Sequence, residues 1–311
     1  MKGLEISRKF FEEYGKPMLE NEFPELMEYI AVGLVGNGSE CLGFDDDVSQ
    51  DHDFEAGFRI FLPGEDVIDS KTEFKLERAY SKLPKEFCGL KRSLVAPVGG
   101  SRNGPVRTSD FYISKIGSPD EKLTNEEWLR IPDYALAEAV NGEIFYDGYG
   151  EFTIIRSLIS RMPEDIRLKR IAGNLLIMSQ SGQYNFMRCL KHGESEAAQL
   201  SAFEFVNAAM KAIFLLNKRY MPYYKWSFRA LKEIDKENKF YSSLSYITNS
   251  GIENGEKKYD AIEEIASKVI TLLQDGDMTK AICGDLEKHA YSVNDKIKNG
   301  NIRNMNIFAG V

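Results

Sequence analysis

Cysteine, histidine and excess positive charge are all scarce in this chain, and each scarcity narrows what it can be. Of 311 residues only three are histidine and four are cysteine, Cys41, Cys88, Cys189 and Cys283. The cysteines stand far apart with no C-x-x-C pair, which argues against a Cys/His zinc site and for reduced thiols. Forty Lys and Arg against 48 Asp and Glu leave a formal charge of −8, so no bulk attraction draws the chain to a polyanion. A nucleic-acid partner is disfavoured on that ground, and RNA extension with it. No apolar run approaches the ~20 residues that span a bilayer. The opening MKGLEISRKFFEEYGKPMLE is charged throughout, where a signal peptide needs an apolar stretch. The expectation is a cytoplasmic protein without a membrane partner.

What is present is a large apolar complement, 43% of residues with 12% aromatic, enough to build a core in two units. Phe10, Phe11, Tyr14, Met18 and Leu19 recur at helical spacing and predict an amphipathic first helix. Ala31 to Val35 is a small apolar run suited to a buried strand, ending in Gly36-Asn37-Gly38-Ser39, where glycines permit a tight turn. Asp53 to Leu62 shows partial alternation and stops at Pro63-Gly64, which predicts a second strand. Residues 69 to 82 read as a helix, and Leu94–Val98 and Val106–Thr108 as further short strands. Thr124 and Glu127 are spaced as a capping box. From residue 133 helical patterns dominate: Pro163–Lys191, Glu194–Tyr220, Lys257–Gln274 and Ile282–Lys298. The fold class expected is α+β, with a small mixed-sheet head over residues 1–132 and a mainly helical bundle over 133–311.

Chemistry concentrates in residues 36 to 53. A strand runs into a Gly-Ser turn, eleven residues intervene, and Asp51 and Asp53 appear at i and i+2 at the start of the next strand. Alternation along a strand sets both carboxylates on one face and His52 on the other. One or two carboxylates plus substrate phosphates is the usual protein share of a Mg²⁺ site, and a Gly-Ser turn offers N–H groups and a hydroxyl to phosphate oxygens. Asp45-Asp46-Asp47 reads as a solvated turn.

These residues resemble the polymerase-beta-like nucleotidyltransferase superfamily, whose signature is an apolar strand, Gly-Gly or Gly-Ser, a spacer, then Asp-x-Asp. Gly38, Ser39, Asp51 and Asp53 match it, and Gly43 and Ser49 match a common elaboration. More of the chain resembles a bacterial family carrying a domain of unknown function related to nucleotidyltransferases. The matching blocks are the Gly38-Ser39-Glu40 turn, the Asp-Asp-Asp-x-Ser-x-Asp-His-Asp run, Glu127-Trp128-Leu129, Asn141 to Asp147, and Arg219-Tyr220-x-Pro222-Tyr223-x-Lys225-Trp226.

The resemblance implies transfer of a nucleoside monophosphate from a nucleoside triphosphate, ATP for example, to a nucleophile on a small molecule or protein. Asp51 and Asp53 would hold one or two Mg²⁺ ions. Gly38 and Ser39 would steady phosphates, and Lys225 would reach the triphosphate while an aromatic neighbour supports the base. A third carboxylate would accept the acceptor's proton, with Asp110, just past the predicted strand Val106–Thr108, the first choice and Asp147, in a turn after an apolar strand, the rival. The alternative is a non-catalytic, antitoxin-like or regulatory nucleotide-binding module on the same fold. Gln183, Asn185 and Arg188 read as solvent-facing, and the Phe203 to Leu216 stripe as core.

Overall fold

The computed structural model describes residues 1–48, 55–92 and 103–311. Ser49, Asp51, His52 and Asp53, together with the expected strand Leu94–Val98, lie outside the described residues. Two compact units divide the chain: residues 1–123 with 135–160, and residues 124–134 with 161–311.

In chain order the first part runs α1 (Gly3–Phe10), a π-helical turn (Phe11–Gly15), α2 (Lys16–Glu22), β1 (Ala31–Leu34), β2 (Arg59–Leu62) and α3 (Ser70–Ser81). A short hairpin of β3 (Glu86–Phe87) and β4 (Leu90–Lys91) precedes β5 (Gly104–Arg107) and α4 (Thr108–Ile116). Then come α5 (Asn125–Arg130), α6 (Asp133–Val140), β6 (Glu143–Asp147) and α7 (Glu151–Ile159). Asp69 starts α3 by accepting the Thr72 N–H at 2.8 Å, an N-cap of the expected kind.

The first unit is organised by a four-stranded mixed sheet of order β5-β2-β1-β6. β1 is antiparallel to both neighbours, and β2 is parallel to β5. Alternation along β2 sorts its residues between two helical layers. Phe58, Ile60 and Leu62 join Val32, Phe10, Phe11, Leu19 and Leu76 in one core, whereas Phe61 packs on Phe111 and Phe152 at ring separations of 5.3 and 4.1 Å. Burial on both faces is why the sequence alternation there is only partial.

The boundary expected at residue 132 is corrected by β6. Its Tyr146 pairs with Val32 and its Asp147 with Ala31, so residues 135–160 join the first unit across more than a hundred residues of chain. Gly33 makes the close approach possible: a Cβ there would stand 2.4 Å from the Glu143 carbonyl.

The second unit is helical. It contains α5, α8 (Glu164–Met178), a π-helical segment (Ser179–Phe186), α9 (Met187–Lys191), α10 (Ser195–Leu216), α11 (Tyr224–Ile234), α12 (Tyr241–Asn249), α13 (Gly255–Asp275), α14 (Leu286–Asp295) and α15 (Gly300–Asn304). Both halves of the capping box at α5 are formed. The helix expected to reach Tyr220 stops at Leu216, and Lys218 just beyond it takes the left-handed conformation, φ 53°. The helix expected from Ile282 begins at Leu286, where the Asp285 side chain caps it by accepting from Glu287 N–H. Contrary to the expectation that no apolar run suffices, α10 is long and apolar enough by composition to cross a membrane, although 61% of that window is buried inside the protein.

Candidate functional site

The glycine turn leaves the sheet at the C-terminal end of β1. Because β1 and β2 are antiparallel with Gly33 opposite Arg59, the end of β1 and the entry to β2 share one edge of the sheet. Gly36 and Gly38 both hold positive φ, 106° and 122°, which only glycine adopts without strain. Ser39 is buried and starts a short 3-10 turn, Glu40–Leu42, closed by Gly43 at φ 70°. Its carbonyl accepts from Leu42 and Phe44 N–H groups. Its side chain makes no capping bond to that turn, so the capping role is not the one observed.

Three side chains hold this turn in place. Asn141 uses both ends of its amide on one residue: Gly36 N–H donates to Oδ1 and Nδ2 donates to the Gly36 carbonyl, each at 2.8 Å. Gly142 N–H donates to the Cys41 carbonyl at 2.8 Å. Gly142 is required there, since its φ is 65° and a Cβ would stand 2.0 Å from the Leu34 carbonyl oxygen. Arg156 in turn clamps the 140–142 segment, donating to the carbonyls of Val140, Asn141 and Gly142 at 2.7–3.0 Å. Burial lowers the Arg156 pKa from its ordinary value, opposed by Tyr112 and Glu143, and the guanidinium stays charged at any physiological pH. From the last turn of α4, the Lys115 ammonium donates to Asn37 Oδ1 and to Glu138 Oε2, the latter at 2.7 Å. Sequence reasoning missed Lys115, Glu138 and Arg156. Only the Asn-Gly pair at 141–142 carried a local signal, that of a turn.

Asp110 and Asp147 are not brought to this edge. Arg107 pairs with Leu62 at the other end of the sheet, and Asp110 stands exposed in the first turn of the helix that follows. Asp147 pairs with Ala31, the first residue of β1, which stands at the end of that strand opposite to the turn, five residues or roughly 16 Å of extended chain before Gly36. Its carboxylate accepts from Gly150 N–H, Thr153 N–H and Thr153 Oγ1 at 2.6–2.9 Å, which ties the end of β6 to the first turn of α7.

Asp45 also departs from expectation. It is 4% exposed and accepts the Gly3 N–H at 2.9 Å, so one member of the acidic loop is a buried anchor for the start of α1. Lys225 belongs to the second unit, in the first turn of α11, where its exposed ammonium lies 5.0 Å from the centre of the Trp226 ring. Tyr220 in the same block is half-buried, and desolvation raises its pKa well above the ordinary tyrosine range. Gln183 is not a bystander: it donates to Glu263 and the Gly284 carbonyl and accepts from Leu286 N–H, tying three segments together. Among the described residues no disulfide joins the four cysteines, and no group of three or more His, Cys, Asp and Glu side chains is assembled as a metal cluster.

Residues 128–227 match the model of a family described as a domain of unknown function, DUF4037. No curated protein matches the chain. The matched segment begins in the second unit, passes through the clamp at 140–142, β6 and α7 of the first, and returns to the second.

Proposed function

We propose that the protein is a Mg²⁺-dependent nucleotidyltransferase whose working edge is the Gly36–Ser39 turn. The observation that carries the reading is the conjunction of a Gly38-Ser39 turn leaving β1 with an Asp51-x-Asp53 pair preceding β2, two strands that are adjacent and antiparallel. The residue pattern is that of the polymerase-beta-like superfamily it resembles. In this reading Asp51 and Asp53 supply hard oxygen donors suited to Mg²⁺. The bound ion would neutralise triphosphate charge and align in-line attack on the α-phosphorus.

The turn's part is phosphate binding. Backbone N–H groups in a glycine turn form a concavity for anions, and Lys115, itself paired with Glu138, fixes Asn37 within it. ATP serves as the donor in this reading, and the acceptor is a nucleophile on a small molecule or a protein. The far-end positions of Asp110 and Asp147 favour one competing reading, a nucleotide-binding module on the same fold without turnover.

One assay separates the two. Protein with Mg²⁺ and an α-phosphate-labelled nucleotide, incubated with cell extract, should transfer label and release pyrophosphate, and Asp51→Ala or Asp53→Ala should reduce transfer by about a hundredfold or more. Binding of Mg-ATP without transfer would support the module. Neither binding nor transfer with any of the four nucleoside triphosphates would overturn both.

A further inference from the structure

The second unit contains a cleft of about 420 Å³, within the roughly 300–1,000 Å³ usual for small-molecule sites. Its rim carries three tyrosines that the fold leaves in solvent: Tyr134 at 44%, Tyr223 at 46% and Tyr224 at 73% exposure. They are grouped, with Tyr223 edge-on to Tyr134 at 5.9 Å and 4.3 Å from Tyr224 between ring centres. Clustered exposed rings are a poor choice for a surface with nothing to bind and a good one for a flat ligand, since tyrosine offers large rigid contact area at low entropy cost.

Charge in the cleft runs against the balance of the chain. Lys211, half-buried on α10, lines the cleft and makes no ion pair with any described residue. Arg130 adds a second cation at the end of α5. Asp133 lines the same cleft but is already paired with Arg170 at 3.0 Å, with both side chains under 10% exposed. Arg170 also donates to the carbonyls of Ile131 and Gly310 at 2.6 and 3.0 Å, so the floor is fixed before any ligand arrives. The cleft therefore sets the cations Lys211 and Arg130 beside a rack of rings, with the Arg170–Asp133 pair in its floor, in a chain whose formal charge is −8. All but two of its lining residues fall within the segment 128–227 matched by the family model.

We propose that this cleft is a binding site for a small molecule that joins an acidic group, phosphate or carboxylate, to a flat unsaturated ring. Lys211 takes the acid and Tyr223, supported by Tyr134 and Tyr224, takes the ring. The proposal stands apart from nucleotidyl transfer at the turn edge, and its test is arranged accordingly. Calorimetry is run on the full chain carrying Asp51→Ala and Asp53→Ala, in EDTA, with AMP as the phosphate probe and 4-hydroxybenzoate as the carboxylate probe. At least one should bind saturably at one site per chain. Adenosine and ribose 5-phosphate, each lacking one half of the ligand, should bind about tenfold more weakly than AMP if AMP is the binder, and phenol likewise relative to the benzoate. Lys211→Met and Tyr223→Ala should each weaken binding about tenfold, which corresponds to about 1.4 kcal/mol. Lys211→Arg and Tyr223→Phe should retain it, which separates lost contacts from lost folding. Saturation by neither probe at about 5 mM, or binding unchanged in Lys211→Met and Tyr223→Ala, overturns the proposal. So does adenosine or phenol binding as tightly as its acidic counterpart.

Discussion

At one end of the four-stranded sheet, Asn141 exchanges two 2.8 Å hydrogen bonds with Gly36 around a glycine turn. At the other end, the Asp147 carboxylate accepts three hydrogen bonds from Gly150 and Thr153 at the first turn of a helix. Both ends concentrate polar groups within one strand's length, but they direct them differently. At the Asp147 end the side chain serves the backbone, which is the usual task of an aspartate at a helix start. At the turn end, side chains from α4, α7 and the 141–142 segment hold a backbone loop whose own conformation, positive φ at Gly36 and Gly38, opposes ordinary chain preference. Several groups holding one loop in a backbone conformation open only to glycine is the pattern expected where a loop must present backbone to a ligand.

The comparison breaks most readily at Gly142. Gly142→Ala sets a Cβ 2.0 Å from the Leu34 carbonyl oxygen in left-handed backbone, and a loss of more than about 4 kcal/mol in urea denaturation is expected, or no folded protein at all. Asn141→Ala removes both bonds to Gly36 and leaves a donor and an acceptor behind, so a loss of about 2–4 kcal/mol is expected, with hydrogen exchange at Gly36 N–H greatly accelerated. Asn141→Asp keeps the acceptor for Gly36 N–H but turns a carboxylate oxygen toward the Gly36 carbonyl in place of the donor, so a loss as large as that of Asn141→Ala is expected. At the other end, Asp147→Ala should cost about 1 kcal/mol, the worth of a side chain bonded to a helix's first turn, and leave Mg-ATP binding unchanged. Asp110→Ala should be smallest, within about 0.5 kcal/mol by thermal melting, with label transfer retained. Loss of transfer in Asp110→Ala would contradict the assignment of the turn end as the working end.

Local signals in the sequence carried much of this architecture. Apolar runs bounded by glycine and proline marked β1 and β2, the Thr124 and Glu127 pair forms the expected box, and Pro163 stands at the start of α8. The α+β class with a helical C-terminal part follows from those patterns. What could not be read is non-local. Nothing in Glu143–Asp147 states that it will pair with a strand more than a hundred residues earlier, and that pairing moved the boundary from 132. Lys115 looks like any basic residue in a last helical turn until α4 packs against the sheet and carries its amine to Asn37. The choice of Asp110 and Asp147 failed to reach the turn for a related reason: proximity to a strand was legible, but which end of the sheet the strand led to depends on its partners' direction. Asp45 was misjudged because an acidic run looks solvated until one member meets the N–H of an incoming helix.

Hydrogen exchange of the whole protein with and without Mg-ATP sets the two ends of the sheet directly against each other. If the turn end is where nucleotide binds, the amides of residues 36–42 should gain protection on addition of Mg-ATP, while those of residues 108–111 and 147–153 should not change. Protection confined to the Asp110 and Asp147 end, or none at residues 36–42 at saturating Mg-ATP, would contradict the account.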